Sequence, residues 1–278
     1  MEKRYAIGLD FGSLSGRGVL VEVASGAVAA EAVMEYPHGI MERALPDGIP
    51  VLGEWCLQHP QDYMDVMESV VPALLKNAGV ASEQVVGIGI DFTASTVVPL
   101  DRDLKPLCFL PEFGGRPHAW VKLWKHHGAA KQAQRLQEIC RQQGREYPDW
   151  YGGVISAEGL IPKVIQVFEE DREVYDATAC FMEAGDYMTT VLTGHPVCSF
   201  PPMAAKSFWS IADGYPDTAF FAAVNPELAD LPKQKLAAHL PEAVIAFPGE
   251  RAGVLCDAMA AKLGLQPGTA VSSFQMDA

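Results

Sequence analysis

Positive charge is scarce in this sequence. Lys and Arg number 21 against 35 Asp and Glu, a net charge of −14. A surface of that sign repels phosphate backbones and anionic headgroups, which excludes a general nucleic-acid or membrane-surface role. Any phosphate bound here has to be held locally, by a few placed groups. Long apolar runs are missing too: no stretch approaches the ~20 residues that span a bilayer. The N-terminus lacks the basic, long-apolar, small-residue order of a secretory signal, so a soluble protein is expected. Cysteine is unpatterned. Cys56, Cys108, Cys140, Cys180, Cys198 and Cys256 contain no C-x-x-C pair, which suits reduced, buried thiols in a cytoplasmic protein rather than a disulfide framework or zinc site. Low-complexity tracts are absent, and 278 residues with 49% apolar and 20% charged side chains suffice for one large globular domain.

What is present is concentrated at the start. The apolar run Tyr5-Ala-Ile-Gly-Leu reaches Asp10, a turn follows with Gly12, Ser13, Ser15 and Gly16, and a second apolar run begins after Arg17. This order predicts a tight β-hairpin. Glycines admit an anion close to the backbone, hydroxyls and amides donate to phosphate oxygens, and Arg17 adds a forked cation. Asp10, ending the first strand, is a candidate to hold Mg²⁺ through water beside substrate phosphates. An ordinary hairpin with an Asp10–Arg17 ion pair explains the same residues equally well.

Further along, residues 26–34 predict a third strand, 36–55 a long surface loop, and 60–79 a helix started by Pro60 and bent at Pro72. Residues 85–96 echo the opening, Ile88-Gly-Ile-Asp91-Phe against Ile7-Gly-Leu-Asp10-Phe. Two such apolar runs joined by a helix predict parallel neighbours with a right-handed crossover, and so put Asp10 and Asp91 at one sheet edge, where ligands of open α/β sheets bind. A returning strand is expected over 97–107 and a helical segment over 116–141, on which adjacent His126 and His127 diverge and make no metal pair. Trp124 either packs or stacks on a ligand. Ser156 is expected to cap a helix through Phe168, and residues 187–192 form another. Residues 199–209 read as a loop in which Lys206 either snorkels to the surface or aims its charge into a cleft. The stretch from Gly214 to Pro241 reads as helical and polar, 249–254 as a turn, 257–263 as a helix. A closing strand from Gly268 delivers Asp277, the third carboxylate at a strand end.

Taken together, Ile7-Gly-Leu-Asp10-Phe-Gly12 with Ser15-Gly16-Arg17, the Leu52 to Pro60 stretch, Gly87-Ile-Gly-Ile-Asp91-Phe-Thr-Ala94, Pro117 to His127, Tyr151-Gly-Gly153 and Gly249-Glu-Arg-Ala-Gly253 resemble the sugar-binding half of carbohydrate kinases of the FGGY family, among them the ribulokinases. The resemblance implies an α/β, ribonuclease-H-like (actin-like ATPase) domain over residues 1–278, with a five-stranded mixed sheet flanked by helices. It also implies a second, nucleotide-binding domain that this chain does not contain. By position, Asp277 matches the general base, Asp10 the carboxylate near Mg²⁺, and Gly12, Ser13, Ser15 and Arg17 the phosphate-side turn. Ala94 and Lys206 match sugar contacts, with Trp124 and Asp91 at the same pocket. The implied reaction is ATP-dependent phosphorylation of a ketopentose, L-ribulose foremost, by a cytoplasmic enzyme. The chain alone, a piece of a longer protein or a truncated product, is expected to be inactive. Gly159 and Pro201-Pro202-Met203 depart from the family pattern, so a xylulokinase-like or polyol kinase, or a non-catalytic sugar-binding module, remains open, as does a homodimer.

Overall fold

The computed structural model describes residues 3–51 and 53–277. Met1 and Glu2 of the opening stretch, Leu52 of the Leu52 to Pro60 motif, and Ala278 lie outside the described residues.

The opening hairpin forms as its alternation dictates. Strand β1 (Tyr5–Phe11) pairs antiparallel with β2 (Ser15–Glu22), and β2 with β3 (Val28–Glu35). The chain then crosses through α1 (Pro60–Ala78) to β4 (Val85–Phe92), which lies parallel to β1. Beyond β4, β6 (Ala270–Ser272) and β7 (Gln275–Met276) share one sheet position, interrupted at Ser273 and Phe274, both parallel to β4. This completes the expected five positions, and β5 (Arg251–Val254), expected as a turn, adds an antiparallel edge beside β6. The turn at Gly249 precedes it, and pairing with β6 extends what the local residues alone leave short.

Helix α1 carries its own start and stop signals. The His59 side chain accepts from the Gln61 amide, Pro60 sits in the first turn, and Gly79 closes the helix at φ 63°. Its stripe of Tyr63, Val66, Val70, Val71 and Leu74 is buried against the sheet, and the helix runs on through Pro72. Glycine permits the close approach to β2: a Cβ at Gly16 would lie 2.5 Å from a Val66 methyl, and one at Gly18 2.6 Å from a Val70 methyl. Helices α3 (Ala184–Thr193) and α4 (Asp257–Leu263) complete that layer, α3 against β4 and α4 against α1.

A second, four-stranded antiparallel sheet orders Leu57–Gln58, Val121–Lys122, Val97–Leu100 and Cys180–Glu183. It shares a separate core with α2 (Leu160–Glu170), built on residues such as Leu57, Val97, Leu136, Ile161, Val164 and Phe181. Several local expectations give way to this core. Residues 116–141 are not one helical segment: a 3₁₀ turn at Pro117–Ala119 and the strand Val121–Lys122 precede the helix Ala130–Gln143, because pairing with Leu57–Gln58 captures the chain. The 36–55 loop is irregular but buries Met41, Leu45 and Val51. Helix α2 begins after Gly159 with no side-chain cap, while the Ser156 hydroxyl accepts from the Glu158 amide instead. The 199–209 loop contains the helix Phe200–Lys206, whose two prolines fall in its first turn, where the missing N–H costs nothing. After Gly214 come short helices burying Phe220, Phe221, Leu228 and Leu231, so that region is core-forming rather than polar. All six cysteines are free and five are buried. Among the described residues no helix is long and apolar enough to cross a membrane.

Gly16→Ala should force α1 off β2 and cost about 1–3 kcal/mol, read from the urea midpoint at unchanged m-value. A shift near zero would mean the helix is not seated on the hairpin as described.

Candidate active site

Sheet register brings the three predicted carboxylates to one rim. Asp10 of β1 and Asp91 of β4 are direct parallel partners, Asp91 is the partner of Gln275 in β7, and the Asp277 amide donates to the Phe92 carbonyl at 3.2 Å. Crowding shows in their protonation. Asp91 is pushed above the usual carboxylate range by burial and then by the charges of Asp10 and Asp277. Asp277 is raised chiefly by burial, with Asp10 adding to it, while the Ala94 amide facing its carboxylate opposes the rise. Asp91 Oδ1 is buried without a hydrogen-bond partner. An orphaned carboxylate oxygen beside a second carboxylate suits a hydrated cation or a ligand hydroxyl, since burying it unmatched is costly.

Directly across the hairpin from Asp10 stands Arg17, its Nε 3.2 Å from Asp10 Oδ2. The plain hairpin ion pair is therefore present, and Arg17 stays more than half exposed at 57%, with the rest of its fork free to meet an anion. The turn is braced from outside. Gln58 Nε2 donates to the Ser13 carbonyl at 2.8 Å, the Tyr63 hydroxyl fixes Gln58 at 2.7 Å, and Trp124 Nε1 donates to Ser13 Oγ at 3.0 Å. The Gly12 amide is spent inside the turn on the Ser15 carbonyl at 3.0 Å, so Gly12 shapes the loop and does not offer its donor. Trp124 joins the second sheet's loops to the hairpin tip while its ring remains 37% exposed.

Ala94 lies two residues past the end of β4 and is buried. Lys206 ends the helix Phe200–Lys206, which packs on β7 and so lies alongside the strand that carries Asp277. Its Nζ pairs with Glu158 at 3.3 Å, and Glu158 also meets His127 at 3.3 Å. Lys206 borders a cavity of about 290 Å³ walled by Trp150, Tyr151, Gly159 and Phe208. Its ammonium is thus held by Glu158 at the border of that cavity. Gly159 keeps that cavity open on the Lys206 side, where a Cβ would lie 3.1 Å from the Lys206 carbonyl.

Sequence reasoning missed Gln58, Glu158, Lys163 and Glu183. Lys163 and Glu183 are buried side chains, and a charged residue inside the apolar α2 stripe was the available signal for the first. One further cluster looks metal-capable: His38, His59 and Asp62 offer ligand atoms within 4.8 Å. Two of its ring nitrogens already have partners. His38 Nδ1 meets Asp62 Oδ1 at 2.6 Å, and His59 Nδ1 accepts the Gln61 amide, which leaves the proton of a neutral ring on Nε2. Burial and then His38 push His59 down to about 4, so this cluster anchors the start of α1.

Residues 5–278 match the N-terminal domain of the FGGY family of carbohydrate kinases. Similar curated proteins include the ribulokinase of Shouchella clausii, 45% identical over 277 residues, covering 99% of this chain and 48% of the relative. Another is the ribulokinase of Geobacillus thermodenitrificans, 44% identical over 279 residues, covering 100% and 48%. The chain spans about half the length of these relatives. Among solved structures, the xylulose kinase of Rhodospirillum rubrum superposes with a TM-score of 0.73 at 20% identity over 99% of this chain and 49% of that one. The gluconate kinase of Lactobacillus acidophilus gives 0.71 at 18%, over 99% and 48%. At those identities the two structures establish the fold alone, an α/β domain of the actin-like ATPase type. With a match over nearly every residue, and three carboxylates where two echoing strands and a closing strand end, the chain belongs to the FGGY family of carbohydrate kinases.

Proposed function

We propose that this chain is the sugar-binding half of an ATP-dependent kinase that phosphorylates the terminal hydroxyl of a ketopentose, L-ribulose foremost, giving ribulose 5-phosphate. The convergence of Asp10, Asp91 and Asp277 on one rim beside the braced Ser13–Arg17 turn carries this reading. The choice of L-ribulose leans on relatives named ribulokinase at 36–45% identity. A second domain, which the longer relatives have room for, would supply most of the nucleotide site, and residues 1–278 would not turn over without it.

In this reading Asp277 accepts the proton of the sugar hydroxyl as that oxygen attacks the γ-phosphoryl group of ATP. Its raised pKa makes it a better proton acceptor than an ordinary carboxylate, with the Ala94 amide facing it. Lys206 and Trp124 bind the sugar from two sides, and the small Ala94 side chain leaves room between them. Arg17, with the Ser13 and Ser15 hydroxyls, meets the transferred phosphoryl oxygens and stabilises charge spread over them. Asp10, with the unpartnered Asp91 Oδ1 beside it, fits a hydrated divalent cation. When bound, Mg²⁺ neutralises phosphate charge there. Closure over the rim would exclude water and strengthen each of these contacts.

Asp277→Asn, in a polypeptide carrying both halves, should lower turnover of L-ribulose about 10²- to 10⁴-fold in a coupled ADP assay; wild-type turnover in that variant rules out Asp277 as the base. The same assay run on D-xylulose, ribitol and L-ribulose separates the substrate readings, and equal use of all three would defeat the assignment to L-ribulose.

The raised pKa of Asp91 has a definite sign. Its stabilising contribution is present below the ordinary Asp range and is lost as pH rises through its higher folded value. Asp91→Asn should therefore raise Tm at about pH 7 and leave it unchanged near pH 3. In carbon-detected titration, Asp10→Asn should lower the Asp91 midpoint by removing a neighbouring negative charge. An unmoved midpoint would show that the two carboxylates do not sense each other.

A further inference from the structure

Behind the rim, α2 drives a lysine into the protein interior. Lys163 is fully buried, and its Nζ donates to the Ser95 carbonyl at 2.6 Å and to the Leu123 carbonyl at 3.0 Å. These acceptors belong to two different loops. Ser95 lies in the buried 93–96 loop, directly after Ala94, whose amide faces Asp277. Leu123 directly precedes Trp124, whose indole holds the hairpin turn through Ser13. One ammonium therefore ties the loop beside the candidate base to the loop that braces the phosphate-side turn.

The 93–96 loop does not hold this shape for local reasons alone. Ser95 adopts φ 62°, a left-handed conformation that a serine enters at a cost, and its hydroxyl is buried with no partner. Within the loop only the Thr93 and Thr96 hydroxyls meet, at 2.7 Å. Near Lys163, Glu183 is buried at the strand position paired with Val97, its carboxylate facing the Ser95 and Thr96 amides with neither oxygen in a full hydrogen bond. Burial drives Lys163 down and Glu183 up, and each one's charge partly restores the other. A cation and a carboxylate placed in the interior at such a cost, with the cation's donors spent on two loop carbonyls, is an arrangement that apolar packing would replace if only stability mattered.

We propose that Lys163 is a positioning residue that clamps the 93–96 loop to the Leu123–Trp124 loop, with Glu183 as its counter-charge, and thereby sets where Ala94 and Trp124 stand around the sugar. The part concerning sugar rests on the kinase reading above; the clamp itself rests on the contacts. Lys163 touches no reacting atom, so its effect is transmitted through the two backbones it holds.

The test is Lys163→Met, which keeps the apolar stem and removes all three donors. By hydrogen exchange on this chain, amides of residues 94–97 and 122–125 should exchange at least tenfold faster, while β1 and α1 keep wild-type rates. In calorimetric titration with L-ribulose the Kd should rise at least tenfold. Unchanged exchange in the two loops, or equal acceleration throughout the chain, overturns the clamp. If circular dichroism shows that the Met variant does not fold, Lys163→Gln, which retains a donor, carries the same comparison: faster exchange confined to the two loops supports the clamp, and unchanged or uniform exchange overturns it. Failure of the wild-type chain to bind L-ribulose would count against the sugar reading, and the exchange rates would still decide the clamp. If L-ribulose binds but its Kd is unmoved in a variant with loosened loops, Lys163 does not position the sugar contacts.

Discussion

The parallel pairing of β1 with β4 is the constraint on which the rest of the molecule depends. The two strands carry nearly the same residues, so pairing them without offset places Asp10 beside Asp91 and Phe11 beside Phe92. The aromatic pair turns inward and stacks at 5.2 Å over Tyr63 of α1, while the carboxylates end at the opposite side of the pleat. A slip of one residue in either strand would turn its aspartate under α1 and expose its ring, at a cost in both buried charge and lost apolar burial. Hydrophobic burial on one face thus sets the register that brings like charges together at the rim.

That gathering of charge works against stability and toward chemistry. Asp91 and Asp277 are both raised, first by burial and then by neighbouring carboxylates, which is how a site keeps proton acceptors poised rather than inert. Arg17 answers only Asp10 directly. The rim is left with an unpartnered oxygen and a half-exposed cation, which is the condition in which an incoming phosphate and its cation improve the local electrostatics.

Two cores divide the labour. The first lies between the main sheet and α1, α3 and α4 and holds the strand ends in place. The second lies beneath the small antiparallel sheet and carries Trp124, Glu158 and Lys163 toward the rim from the other side. They meet through a handful of polar links: Gln58 and Trp124 on the Ser13 turn, and Lys163 on the Ser95 and Leu123 carbonyls. Because those links are directional while the cores are not, they specify the relative position of Asp277, the 93–96 loop and the hairpin turn more sharply than packing alone does.

Much of this was legible in the chain itself. The opening hairpin, the capped α1 helix, the echoing strand that ends in Asp91 and the helix over 257–263 follow from local signals: alternation, a proline start, a glycine stop and a repeated apolar run. Adjacent elements of that kind are governed by short-range sterics and hydrogen bonding, which sequence spacing encodes directly. What the tertiary structure decided was everything that depends on a distant partner. Residues 121–122 became a strand because Leu57–Gln58 was there to pair with, Ser156 gave up its capping role, the post-Gly214 region turned inward, and Lys163 found two carbonyls from separate loops. A buried lysine in an apolar stripe reads locally as an anomaly; only the folded chain, by bringing Ser95, Leu123 and Glu183 around it, shows what holds its charge in place.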